Sequence, residues 1–188
     1  MTRVVDRAPD SATDVAGAGA EEPEPSRLEV SVLITAPAWR DAVAGAAGLA
    51  RTAAHRALRR TDFEGPVEVT VLLADDREVR RLNRDHRGRD AATNVLAFPG
   101  EPGATPGEAG PRLLGDVVLA FETCAREARD QGKSLAHHLC HLTVHGVLHL
   151  AGHDHETEAE ARRMETLERR ILAGLGIADP YRPVAPGP

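Results

Sequence analysis

Apolar and polar positions alternate from Leu28 to Val32, and the run closes on Leu33 and Ile34. A period of two sets every second side chain on one face and predicts a strand. Val67-Glu68-Val69-Thr70-Val71-Leu72-Leu73 repeats the pattern. Between these runs, Ala38 to Arg60 is alanine-rich with apolar residues spaced near 3.6, which predicts one helix. Asp76 opens a short helix to about Asn83, and Asn94 to Phe98 forms a third strand. The Gly/Pro-rich stretch from Pro99 to Pro111 predicts a loop. A fourth strand near Asp116–Ala120 leads into a helix ending at Gly132. Ser134 has the chemistry of an N-cap for the next helix, Gly152 stops it, and Glu158 to Leu172 forms the last one. This interleaving predicts an α+β domain, a small mixed four-stranded sheet packed with about five helices.

The ends read differently. Residues 1–26 carry six acids and two arginines among Ala, Gly, Pro and Ser with no periodicity, the composition of a disordered acidic tail. Residues 180–188 hold four prolines in nine positions, a Pro-rich disordered end. A single domain is therefore expected over 27–179 of the 188 residues. The formal charge is 23 − 29 = −6, and only 3% of residues are aromatic. Both values argue against a general nucleic-acid binder or a base-stacking platform. A local patch remains: six arginines between 77 and 89 face only Glu78 and Asp85, a net of +4. Met1 to Val15 has no apolar core of a secretory signal, and the weakly apolar run Ala42–Ala50 is too short to span a bilayer. Cys124 and Cys140 lie sixteen apart without a C-x-x-C pattern, so neither a disulfide framework nor a thiolate metal site is expected. The expectation is a soluble, reduced, cytoplasmic protein.

Chemistry concentrates in one place. Seven of the nine histidines fall between residues 137 and 155. His137, His141, His145 and His149 recur every four positions on the helix that Ser134 opens, which puts neighbours on nearly one face about 6 Å apart along the axis. Two such imidazoles can share one zinc ion, and a third ligand must come from beyond the helix. Gly152 breaks the helix three residues after His149, and His155 follows three later. This H-x-x-x-H-x-x-G-x-x-H layout has the spacing of the metzincin peptidases, a zincin-like metal helix. Those enzymes carry a general-base glutamate after the first histidine; here that position is Gly146. A register on His141 and His145 finds no glycine or third histidine at the matching offsets, and His137, His138 and His141 read as surface or satisfied core residues. His145, His149 and His155 leave a fourth position open, as in catalytic zinc sites.

The segment His145-Gly146-Val147-Leu148-His149-Leu150-Ala151-Gly152-His153-Asp154-His155 resembles the H-G-x-L-H-L-x-G-[YH]-D-H signature of the endoribonuclease YbeY family. Leu82 to Asp90, Thr93 to Pro99 and Leu114 to Leu119 resemble that family's L-N-x-x-[YFH]-R, T-[DN]-V-L-S-F-P and L-G-D-I-x-I stretches. Ala91-Ala92 replaces a usual proline-containing pair, and Ala97 stands where serine is common. The likeness runs over roughly 28–175. It implies a zinc-dependent endoribonuclease specific for single-stranded RNA, acting in 3′-end maturation of small-subunit ribosomal RNA and in ribosome quality control. The implied partners are ribosomal RNA and the small subunit, with neither DNA nor membrane. His145, His149 and His155 carry over as the zinc ligands and Arg87 as the family's arginine.

The chemistry agrees with that implication. Bound zinc lowers the pKa of water to about 7, and an arginine fork holds phosphoryl oxygens. For Arg87 two roles stay open: stabilising phosphoryl charge in catalysis, or pairing with Asp85, Asp90 or Asp116. Asp154 and Asp116 are candidates to support the ligands from behind. Asp154 could also accept a proton or cap the next helix, and Asn83 and Asp116 could hold loop geometry. Met164, at helical spacing with Leu167 and Ile171, reads as core rather than a Met-turn. No residue stands out as a general base. Two alternatives accompany the nuclease: a non-catalytic, metal-containing assembly factor and, less favoured for want of the glutamate, a metallopeptidase.

Overall fold

The computed structural model describes residues 28–63, 65–100 and 110–182. The acidic tail, the last six residues and most of the Gly/Pro loop lie outside the described residues. The strands are β1 (Leu28–Ile34), β2 (Val67–Ala74), β3 (Val95–Pro99) and β4 (Arg112–Ala120). The helices are α1 (Ala38–Ala42), α2 (Ala46–Leu58), α3 (Asp76–Arg87), α4 (Phe121–Asp130), α5 (Leu135–Leu150) and α6 (Glu158–Ala173). The sheet order is β1-β2-β4-β3. β1, β2 and β4 run parallel, and β3 is the antiparallel edge. The mixed four-stranded sheet expected from the alternation is therefore present.

One face of the sheet carries the main core. Val69, Val71, Leu73, Val117 and Leu119 meet the alanines of α2 and Leu139, Val147 and Leu148 of α5. The other face is covered in part by α3, where Val79 packs on Leu96, Val118 and Ala120. The helix expected over 38–60 is two helices, giving six rather than five. Val43 is extended, and Gly45 takes φ 70° in the left-handed region, where glycine carries no Cβ penalty. Tertiary packing overrides the alanine propensity here. Trp39 is fully buried, donates from Nε1 to the Ala74 carbonyl at 3.0 Å and stacks edge-on against Phe121, so α1 is held at the end of the sheet. α2 can then lay Ala50, Ala53, Ala54 and Ala57 along it.

Two boundaries also move. α3 continues to Arg87, capped by Asp75 at its start and by Gly88 at φ 67°. β4 begins at Arg112 rather than Asp116 because a register shift opposite Glu68/Val69 carries the pairing past Gly115. Gly115 has φ 123°, and a Cβ there would collide with the Phe98 carbonyl oxygen across the ladder. Beyond residue 179, Pro180 is buried and its carbonyl accepts from Lys133 Nζ. The chain therefore stays on the domain through Arg182. Among the described residues no helix is long and apolar enough to cross a membrane.

Candidate metal centre and RNA-facing cavity

α5 starts with the Ser134 hydroxyl accepting from the His137 amide at 3.1 Å. It ends in a 6→1 closure: the His153 amide donates to the Leu148 carbonyl at 3.0 Å, with Gly152 at φ 87°. That reversal returns His155 to the helix. The ligand nitrogens of His145, His149 and His155 lie within 4.8 Å of one another. Nε2 of His145 and Nε2 of His149 are 3.1 Å apart. Two tetrahedral ligands at 2.0–2.1 Å from zinc stand about 3.3 Å apart, so the pair is already at bite distance. Burial, and then His145 and His155 beside it, lower the His149 pKa, which favours the neutral imidazole that metals bind. The donor set fits a zinc-type ion. Asp154 Oδ1 accepts from the His155 amide at 2.7 Å and so holds the turn that delivers the third histidine.

Sequence reasoning missed Glu168. It is fully buried on α6, and its Oε1 accepts from His145 Nδ1 at 2.8 Å. Its Oε2 accepts from His141 Nε2 at 3.0 Å and from the Tyr181 hydroxyl. Burial by itself would raise the Glu168 pKa, but donors from His141, His145 and Tyr181 outweigh it and hold the carboxyl at about 2. A signal for this residue exists in the sequence: an acid on the same face as the buried Met164, Ile171 and Leu172. His138 is paired through one ring nitrogen only: its Nε2 meets Glu127 at 2.9 Å, where Asn94 also donates, while its buried Nδ1 has no partner among the described residues. Met164 is core, 2% exposed. Both cysteines are free and buried, and burial pushes the Cys140 thiol up to about 11.

A cavity of about 510 Å³ opens over the histidines, walled by β3, the turn after α5 and the end of α3. Arg87 reaches it over the sheet edge. Its Nη2 donates to the Ala97 carbonyl at 2.8 Å, and its guanidinium sits 5.7 Å from the Phe98 ring centroid. The carboxylates weighed as its partners are engaged elsewhere: Asp90 with Arg80 at 2.7 Å and Asp85 with Arg84 at 3.2 Å. The +4 patch is thus partly neutralised on α3. Asp116 does not support the ligands. On β4 Val117 faces α5, so Asp116 points to the opposite face, where it is exposed. Asn83 holds a loop, as expected, donating from Nδ2 to the Ala91 carbonyl at 2.7 Å. Gly146 is a packing residue: a Cβ there would stand 2.5 Å from Val117 Cγ1. A glutamate where the peptidases carry theirs would have to displace Val117.

The profile of the family described as Endoribonuclease YbeY matches residues 40–176. The chain belongs to the endoribonuclease YbeY family. Its relatives named Endoribonuclease YbeY include the Paramagnetospirillum magneticum protein, 52% identical over 163 residues (82% of this chain and 96% of that protein). Those of Rhodopseudomonas palustris and Nitrobacter hamburgensis are 52% identical (80% and 88% covered) and 49% identical (85% and 85% covered). The solution structure of TM1509 from Thermotoga maritima is similar at TM-score 0.48 and 20% identity, covering 82% of this chain and 99% of that one. Membership in the YbeY family gives the reaction class, cleavage of phosphodiester bonds within an RNA chain. The YbeY match extends from α1 through α6 and includes the three histidines and Arg87.

Proposed function

We propose that this chain is a zinc-dependent, single-strand-specific endoribonuclease of the cytoplasm that matures the 3′ end of small-subunit ribosomal RNA and acts in ribosome quality control. The observation that carries the reading is the convergence of three imidazoles at the floor of a cavity whose wall holds an arginine with no carboxylate partner among the described residues. His145, His149 and His155 would hold the ion, and bound zinc supplies an acidified water and a positive charge near the scissile phosphate. Arg87, tethered by Ala97, offers its remaining guanidinium N–H groups to phosphoryl oxygens and stabilises charge that builds on them. Asp154 is the only carboxylate on the cavity wall among the described residues, which supports it as the proton acceptor of this reading.

The test is cleavage of a labelled single-stranded RNA by zinc-replete protein beside His149→Ala at equal purity. Loss of cleavage in the variant is the expected result. Equal cleavage by both proteins would defeat the metal assignment. Zinc bound stoichiometrically with no cleavage by either would favour the assembly factor.

A further inference from the structure

Glu168 lies under the cavity rather than in it. A carboxylate buried in a core is expensive, and an apolar residue of similar size would ordinarily serve packing better. Glu168 nevertheless sits at 0% exposure among Met164, Ile171 and Leu172, with three donors converging on two oxygens. Two of those donors, His141 Nε2 and the Tyr181 hydroxyl, share Oε2. Oε1 is left for His145 Nδ1 at 2.8 Å. The His145 side chain is 25% exposed, so without this bond its ring could turn toward solvent.

The consequence concerns which nitrogen carries the proton. In water a neutral histidine favours the Nε2–H tautomer, and the partner of one ring nitrogen sets the state of the other. A proton on His145 Nε2 would point at His149 Nε2, 3.1 Å away, and block the metal side of the ring. Glu168 prevents this by accepting a hydrogen bond from Nδ1–H, which keeps the proton on Nδ1 and presents the Nε2 lone pair to the shared point.

We propose that Glu168 is the positioning residue of the metal site, setting the tautomer and rotation of His145. His141 and the C-terminal Tyr181 fix the carboxylate in turn. The chain after α6 is thereby a structural part of the centre. This rests on the three-histidine metal reading.

The test is zinc affinity of the full chain by competition with a chromophoric chelator, with the apo fold followed by circular dichroism. Glu168→Gln keeps the shape and is expected to bind zinc about 10–100-fold more weakly. Tyr181→Phe is expected to weaken binding by a smaller factor in the same direction. Zinc binding by Glu168→Gln at wild-type strength, with binding lost in His149→Ala, would overturn the proposal and leave the metal site standing. Retention by His149→Ala would overturn the metal reading itself. Should Glu168→Gln fail to fold, the ¹⁵N shifts of the His145 imidazole in the apo wild-type protein decide. Nδ1–H is expected, and Nε2–H would refute the proposal.

Discussion

Gly146 shows how much one missing side chain can state. Its absence of a Cβ lets α5 approach β4 until Val117 Cγ1 occupies the space a side chain would need, at 2.5 Å. Gly146→Ala is expected to destabilise the fold by about 1–3 kcal/mol through overpacking. In chemical denaturation the double variant with Val117→Ala should lose less than the sum of the two single changes, because the sites share one contact. Arg87 makes the opposite kind of statement. Its one side-chain hydrogen bond among the described residues goes to an edge carbonyl and its ring contact with Phe98 is long, so Arg87→Ala should leave the melting temperature nearly unchanged while lowering RNA cleavage about 100-fold or more. Arg87→Lys should recover little of it, since an ammonium lacks the bidentate fork. Matched rates for Arg87→Ala and wild type would remove this arginine from the chemistry.

At the scale of elements, the period-2 runs were sufficient to place β1 and β2, and Ser134 and Gly152 marked the two ends of the histidine helix. Where the pattern misleads, a long-range contact is responsible. The alanine-rich stretch looks like one helix because propensity is local. Trp39 breaks it by reaching Ala74. Gly45→Ala is expected to cost about 1–2 kcal/mol in denaturant unfolding, since φ 70° forces a Cβ into the left-handed region. A stabilised Gly45→Ala protein would mean that the interruption is not required. The early start of β4 was hidden for a related reason. Gly115 pairs across a bulge whose fit depends on β3, and β3 lies beyond the reach of any local pattern.

For the molecule as a whole, the buried network should appear as a pH dependence. Glu168 has a folded-state pKa of about 2 against an ordinary value of 4.5, so the unfolded chain binds its proton first on acidification. Its contribution is complete above pH 4.5 and is lost as pH falls toward 2. The 2.5-unit difference corresponds to about 3 kcal/mol. Urea unfolding of the apo protein at pH 6 and pH 3 should show a drop of about 2 kcal/mol, because pH 3 still lies above the folded pKa, and Glu168→Gln should flatten it. An equal drop in the variant would place the acid sensitivity elsewhere. Zinc should raise the melting temperature of the wild type and leave His149→Ala unmoved, because an ion that binds only the folded state stabilises by mass action.

The cluster of His145, His149 and His155 was legible because it is local: a four-residue step and a turn glycine determine its geometry almost without help from the rest of the chain. The alternating strands, the capped helices and the missing peptidase glutamate are local in the same sense. Glu168, Tyr181 and the tether of Arg87 could not be read that way. Glu168 lies 23 residues from His145, and its meaning depends on how α6 crosses α5. Tyr181 looked like part of a proline-rich end until its hydroxyl met that carboxylate. The freedom of Arg87 follows from which neighbouring arginines capture Asp85 and Asp90 on α3. Short-range chemistry fixes the three histidines along the sequence, whereas the groups that orient and surround them are brought together only when distant segments bury one another.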